Sequence, residues 1–193
     1  MIVTDITHEF TPARIWGPAS ADGLVRSSGL HLSTIYGDIE RTLDPSLSQM
    51  TEQELAWYRN GGFLWERVWG MAMAEDMRRG DVIRPGEVYK DGIIGSPDNI
   101  DLRTMRVVET KATWKSVRKF DSLEKWFWTW LVQIKGYCTL TGTMEAELYA
   151  IFMNGDYRGS GPMPRACRFE FTAWELSENW EMIKKHARKR GWM

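Results

Sequence analysis

The chain has 193 residues, 43% of them apolar, with a formal net charge of −1. That size and apolar share suffice for one hydrophobic core, so a single domain over residues 1–193 is the expectation. No run of about 18 apolar residues occurs, which argues against a membrane-spanning helix. The opening MIVTDITHEF has no basic start followed by an apolar stretch, so no secretory signal is expected. Cys138 and Cys167 are too few for a disulfide framework or a four-cysteine iron–sulfur cluster, and a reducing, cytoplasmic setting fits best. The charge is unevenly spread. Residues 1–98 hold 9 Lys/Arg against 15 Asp/Glu, whereas residues 99–193 hold 16 against 11. The second half alone would attract a polyanion, although an ordinary mixed surface explains the same numbers.

Residues 1–50 read as an N-terminal arm and a short helix. The first 29 are rich in Pro, Gly, Ser and polar residues and suggest an irregular arm packed on the domain. Ser33 is a candidate cap for a helix to about Leu43, in which Ile35, Ile39 and Leu43 recur every four residues. Thr51-x-x-Glu54 is a capping-box pattern opening another helical segment. Asn60-Gly61-Gly62 interrupts it, and a helix is predicted over Phe63–Arg79 with Trp65, Trp69, Met73 and Met77 as its apolar stripe.

Gly80–Gly86 reads as a turn, Glu87–Ile94 as a strand, Asn99–Leu102 as a brief strand and Met105–Thr113 as a β-branched one. Ser122–Leu140 predicts one long aromatic helix with Ser122 as a candidate cap. Glu145–Asn154 and Ala166–Ala173 predict two strands joined by a Gly/Pro-rich loop. Glu175–Arg190 predicts a closing helix, so a basic C-terminal element over residues 176–193 follows a core over 51–175. This order implies an α/β (α+β) fold with a central mixed sheet flanked by helices.

The chemistry concentrates in Gly95-Ser96-Pro97-Asp98 and Glu109-Thr110-Lys111. Alternate residues of a strand face one side, so Glu109 and Lys111 point together while Thr110 points away and offers its carbonyl. Asp98 ends the preceding strand, where Gly95 and Pro97 permit a bend towards Glu109. Two carboxylates and a carbonyl suit Mg²⁺, with Mn²⁺ as an alternative. Lys111 could orient a water bound to such an ion or neutralise a phosphate. The plainer reading is an exposed Asp in a turn beside a surface Glu/Lys pair.

Two further patterns accompany this one. Gly62-x-x-x-Glu66 falls on the helix before the strands, and Gln133-x-x-x-Tyr137 on the helix after them, where positions four apart share a face. In this order, over about residues 60–140, the four elements resemble the PD-(D/E)xK nuclease superfamily in its RecB-like and lambda-exonuclease-like group. The resemblance implies a restriction-endonuclease-like core. It implies Asp98, Glu109, the Thr110 carbonyl and Glu66 as metal ligands, Lys111 as catalytic lysine, and Gln133 and Tyr137 as residues positioning DNA or the site. The activity it implies is that of a Mg²⁺-dependent deoxyribonuclease. An exonuclease on duplex ends in phage-type recombination or repair is favoured, working in a bacterial or phage-infected cell with a single-strand annealing protein as partner. A structure- or site-specific endonuclease is the alternative enzyme, and a catalytically weak DNA-binding or assembly subunit the alternative of another class. A homo-oligomer is left open. Some relatives carry a metal-binding histidine near the N-terminus; here only His31 has a comparable place, and a capping or core role competes. No Walker motif accompanies these elements, so no ATP motor is expected.

Trp126, Phe127, Trp128 and Trp130 cannot all face one side of a helix, since each residue turns about 100°. Core packing accounts for most of them, with Trp126 or Trp130 as candidates for stacking on unpaired bases. Lys115, Arg118 and Lys119 follow Lys111 closely and are candidate phosphate contacts. The basic run from Lys184 to Arg190 is explained as well by the helix dipole.

Overall fold

A computed structural model describes residues 1–7, 27–44, 51, 82–159 and 161–193. The helix expected over Phe63–Arg79, with Glu66, lies outside the described residues, as do the Glu54 end of the capping pattern and most of the arm.

The described strands are β1 (Ile2–Asp5), β2 (Leu30–His31), β3 (Val82–Ile83), β4 (Val88–Lys90), β5 (Ile93–Gly95), β6 (Asn99–Asp101), β7 (Arg106–Thr113), β8 (Glu145–Phe152) and β9 (Met163–Glu170). Six of them form a mixed sheet in the order β1-β9-β8-β7-β6-β3, and a smaller sheet runs β2-β5-β4. Within the larger sheet β7 and β8 are parallel, and the other neighbours are antiparallel. A parallel pair needs a crossover, here a 3-10 segment (Val117–Ser122) and the helices α2 (Leu123–Trp126) and α3 (Trp128–Thr141). Helices α1 (Leu32–Leu43) and α4 (Ala173–Lys189) complete the described set.

One face of the sheet carries the core. Val107, Ala146, Leu148, Phe152, Cys167 and Phe169 pack with Leu32, Ile35 and Ile39 of α1, Leu131, Ile134 and Tyr137 of α3, and Trp180 and Ile183 of α4. Strand alternation puts Glu109 and Lys111 on the same face as Val107, directed into the helical layer. The opposite face carries its own polar cluster, in which Glu147 accepts from Tyr149 Oη at 2.8 Å and from Arg168 Nε at 3.0 Å. Asp38 of α1 ties α4 in place: its Oδ2 lies 2.7 Å from both His186 Nε2 and Arg190 Nε.

Several sequence expectations shift in register. The arm, read as irregular, contributes β1, which pairs from Ile2↔Glu170 to Asp5↔Cys167 and supplies the edge that β9 lacks. Four exposed residues without periodicity give no sequence signal for this. The expected strand Glu87–Ile94 is instead a hairpin turning at Asp91-Gly92, whose φ values of 50° and 77° match the Asp-Gly turn preference. Val82–Ile83, within the expected turn, pairs with β6.

The long helix Ser122–Leu140 is broken at Phe127, with φ −132° and ψ 31°. The break lets the Phe127 ring, 1% exposed, enter the core against Trp130 at 4.2 Å and Phe152 at 5.8 Å between ring centroids. Neither Ser33 nor Ser122 caps a helix by its side chain. Ser33 lies inside α1, whose N-cap is His31, and Ser122 makes no capping bond. Strand β9 ends three residues before the expected Ala173, because Thr172 and Glu175 form a reciprocal capping box that starts α4.

Candidate active site

Strand β6 pairs with β7 through Asn99↔Val108, and one further step along this register sets Asp98 opposite Glu109. The ten residues between the two carboxylates are thus used up by a short β-hairpin. Asp98 is held there by Thr110, whose backbone N–H and Oγ1 both donate to Asp98 Oδ2, at 2.9 and 2.8 Å. The Thr110 side chain therefore anchors Asp98 instead of pointing away from the site as expected. A residue's N–H and C=O leave a strand on the same side, so the Thr110 carbonyl also faces Asp98.

Glu109 is fully buried. A carboxylate taken out of water needs a close counter-charge, and Lys111 Nζ supplies it at 2.5 Å from Glu109 Oε1. Burial by itself would lower the Lys111 pKa. The Glu109 and Asp98 carboxylates overcome it and hold the amine above its ordinary value.

The helical layer completes the site. Gln133 Nε2 donates to Tyr137 Oη at 2.9 Å, and both residues are buried. Burial raises the Tyr137 hydroxyl well above the ordinary tyrosine range, and the Glu109 and Asp98 carboxylates push it further against the opposing bond from Gln133. Tyr137 therefore keeps its proton beside the carboxylates. Gly95 lets α3 approach this closely, because a Cβ there would lie 2.3 Å from Leu140 Cδ1 and 3.2 Å from the Tyr137 ring. Gly136 does the same for α1, since its Cβ would lie 2.7 Å from Leu32 Cδ2.

The structure thus brings together Asp98, Glu109, Thr110, Lys111, Gln133 and Tyr137 from β7, α3 and the turn before β6. It adds Tyr36 of α1, which sequence reasoning missed. Tyr36 stands beside the Ile35/Ile39 stripe and carries no local mark of its role; only packing of α1 against α3 places it near Lys111 and Tyr137. Lys115, Arg118 and Lys119 lie beyond the end of β7. Arg118 pairs with Asp156 at 3.1 Å, and Lys115 Nζ donates to the Trp126 carbonyl at 3.1 Å. The His31 ring meets the Ser27 carbonyl at 2.9 Å.

No group of three or more His, Cys, Asp or Glu side chains converges among the described residues. A cation at this site would therefore take the Asp98 and Glu109 carboxylates and the Thr110 carbonyl, an all-oxygen set that fits a hard divalent ion retaining several waters. Both cysteines are buried and their thiols are raised by that burial, which leaves neither as a soft ligand or nucleophile. No described helix is long and apolar enough to cross a membrane.

No protein-family model and no curated protein sequence matches the chain. Solved structures do. A phage-related exonuclease from Haemophilus somnus 129PT matches at 13% identity and a TM-score of 0.41, over 55% of this chain and 57% of that one. The chain thus spans little more than half the length of that exonuclease. An alkaline exonuclease from Laribacter hongkongensis matches at 15% identity, over 83% of this chain and 87% of that one, with a TM-score of 0.53. The mixed sheet flanked by helices is a fold similar to that of the Laribacter exonuclease.

Proposed function

We propose that the chain is a divalent-cation-dependent deoxyribonuclease, with Mg²⁺ as the expected ion and Mn²⁺ as a substitute. The observation that carries this reading is the Asp98–Thr110 clamp, which sets Asp98 across from a buried Glu109 with the Lys111 ammonium alongside. Asp98, Glu109 and the Thr110 carbonyl are the proposed ligands, with Glu66 as a further one. The ion supplies Lewis acidity at a phosphate oxygen and a lowered pKa for an attacking water.

The rest belongs to the side chains. Lys111 pairs with Glu109, which places its ammonium beside the site as a cation. As DNA arrives, its ammonium is shared between Glu109 and the scissile phosphate, neutralising charge that grows on the phosphoryl oxygens. Tyr137, with its proton retained and its hydroxyl fixed by Gln133, orients that centre from the helical side. Likeness of fold to an exonuclease supports action at duplex ends, as in phage-type recombination or repair beside a single-strand annealing protein.

The test is digestion of end-labelled linear duplex and closed circular DNA, in Mg²⁺ and in EDTA, with wild type and Asp98→Asn. Loss of the linear substrate alone, only in Mg²⁺, is the expected result. Asp98→Asn should lower the rate at least roughly 100-fold, since even residues that merely support a metal ligand cost 10- to 100-fold. Cutting of the circle would replace the exonuclease by an endonuclease. Inactivity on duplex and single-stranded DNA alike would refute the enzyme and leave a binding subunit.

A further inference from the structure

We propose that Trp126, with Lys119 and Lys125, forms a platform for the unpaired strand of a DNA substrate. This rests on the nuclease reading above and assigns how the strand is held beyond the cleavage centre.

Trp126 is 40% exposed, although Leu123 and Phe127 beside it are buried. The helix break at Phe127 causes this, because it sends one ring into the core and leaves the other at the surface. Lys119 Nζ lies 4.1 Å and Lys125 Nζ 5.2 Å from the Trp126 ring centroid. Among the described residues neither amine forms an ion pair. Asp121 and Glu124 share the segment, but Lys115, Lys119 and Lys125 outnumber them. Lys119 lies over the indole, and its flexible stem lets it turn aside, so that a base takes the π-face while the ammonium meets a neighbouring phosphate. Bases inside a duplex are stacked on one another, so only an unpaired strand uses such a face.

The platform is within reach of the cleavage centre. Lys115, whose Nζ binds the Trp126 carbonyl, follows Lys111 by four residues, which span at most about 14 Å of extended chain. Trp114 and Tyr157, 53% and 62% exposed, stand at the same rim, with the Tyr157 hydroxyl donating to the Trp114 carbonyl. The backbone bond from Val117 N to Gly155 O, 2.9 Å, fastens the two loops together.

The experiment is fluorescence anisotropy of a labelled oligothymidylate, and of an abasic strand of equal length, with the full chain in EDTA. Trp126→Ala should weaken oligothymidylate binding roughly 5- to 140-fold, the range for loss of one stacked base. It should leave the abasic strand unaffected, and Trp126→Phe should retain most of the affinity. Lys119→Ala/Lys125→Ala should weaken both strands and reduce the salt slope by about 1.4, at about 0.7 for each phosphate contact. Equal binding of both strands by wild type and Trp126→Ala overturns the platform while leaving Mg²⁺-dependent cleavage standing. So does a change of oligomeric state in Trp126→Ala with oligothymidylate binding intact, which would assign the ring to a second copy. Absence of both binding and cleavage in wild type overturns the platform and the nuclease together.

Discussion

Glu109→Gln and Lys111→Ala, singly and combined, test whether the site is held together by one buried ion pair. Glu109 is fully buried, and Lys111 lies at 2.5 Å with 19% of its side chain exposed. Removing one partner of a buried pair costs about 3–5 kcal/mol, because the other charge stays behind without compensation. For Lys111→Ala the lower end applies, about 3 kcal/mol, since water can enter where the partly exposed amine stood. Glu109→Gln should cost less, about 1–2 kcal/mol, because a lysine can carry its ammonium outward on its flexible stem. The double variant retains neither charge and should cost only about 2–3 kcal/mol, which leaves a coupling near 2 kcal/mol. Urea unfolding of the four proteins in EDTA measures this directly. Titrating Mg²⁺ into Lys111→Ala should then restore stability, by about 2.7 kcal/mol at a hundredfold excess over Kd. Additivity of the two single variants within about 0.5 kcal/mol would show that Lys111 does not compensate Glu109, and the account of the site would fail.

Two other perturbations probe the frame around the site. Gly95→Ala places a methyl group 2.3 Å from Leu140 Cδ1 and 3.2 Å from the Tyr137 ring. It should cost about 1–3 kcal/mol and lower turnover by displacing Tyr137; unchanged thermal midpoint and rate would refute the close approach. Asp38→Asn removes the link between α1 and α4. Burial acts to raise the Asp38 pKa, but His186 and Arg190 outweigh it and leave it below 3.8. A depressed carboxylate stabilises above its unfolded value and loses that contribution as pH falls through the folded one. The variant should therefore be less stable at neutral pH, by about 1 kcal/mol because water screens the Arg190 end, 45% exposed, and the gap should close below pH 3.8. A gap that persists in acid would assign the effect to packing.

What could be read before folding was local. The β-branched run Met105–Thr113, the expected strand Glu145–Asn154 and the closing helix Glu175–Arg190 rest on short-range signals, and each became an element within a few residues of expectation. The hairpin at Asp91-Gly92 was legible too, but the apolar residues on either side masked it as one strand. The break at Phe127 was not legible, because it depends on a core that a large ring must fill from a particular direction. Strand β1 was hidden for a similar reason, as its only cause is the unpaired edge of β9, more than 150 residues away.

The candidate site divides along the same line. Sequence alone determined that Asp98, Glu109 and Lys111 could meet, since strand alternation and a short connection are properties of neighbouring residues. It determined equally that Gln133 and Tyr137 share a helix face. Only the tertiary structure decided that this face meets those carboxylates, that Thr110 clamps Asp98 through both its amide and its hydroxyl, and that Tyr36 arrives from α1. Burial decided the charges as well: Glu109 is enclosed because α1, α3 and α4 cover its face of the sheet, and enclosure is what binds Lys111 to it. Local pattern chooses which groups point the same way, whereas desolvation and their mutual charge exist only once distant elements pack over them.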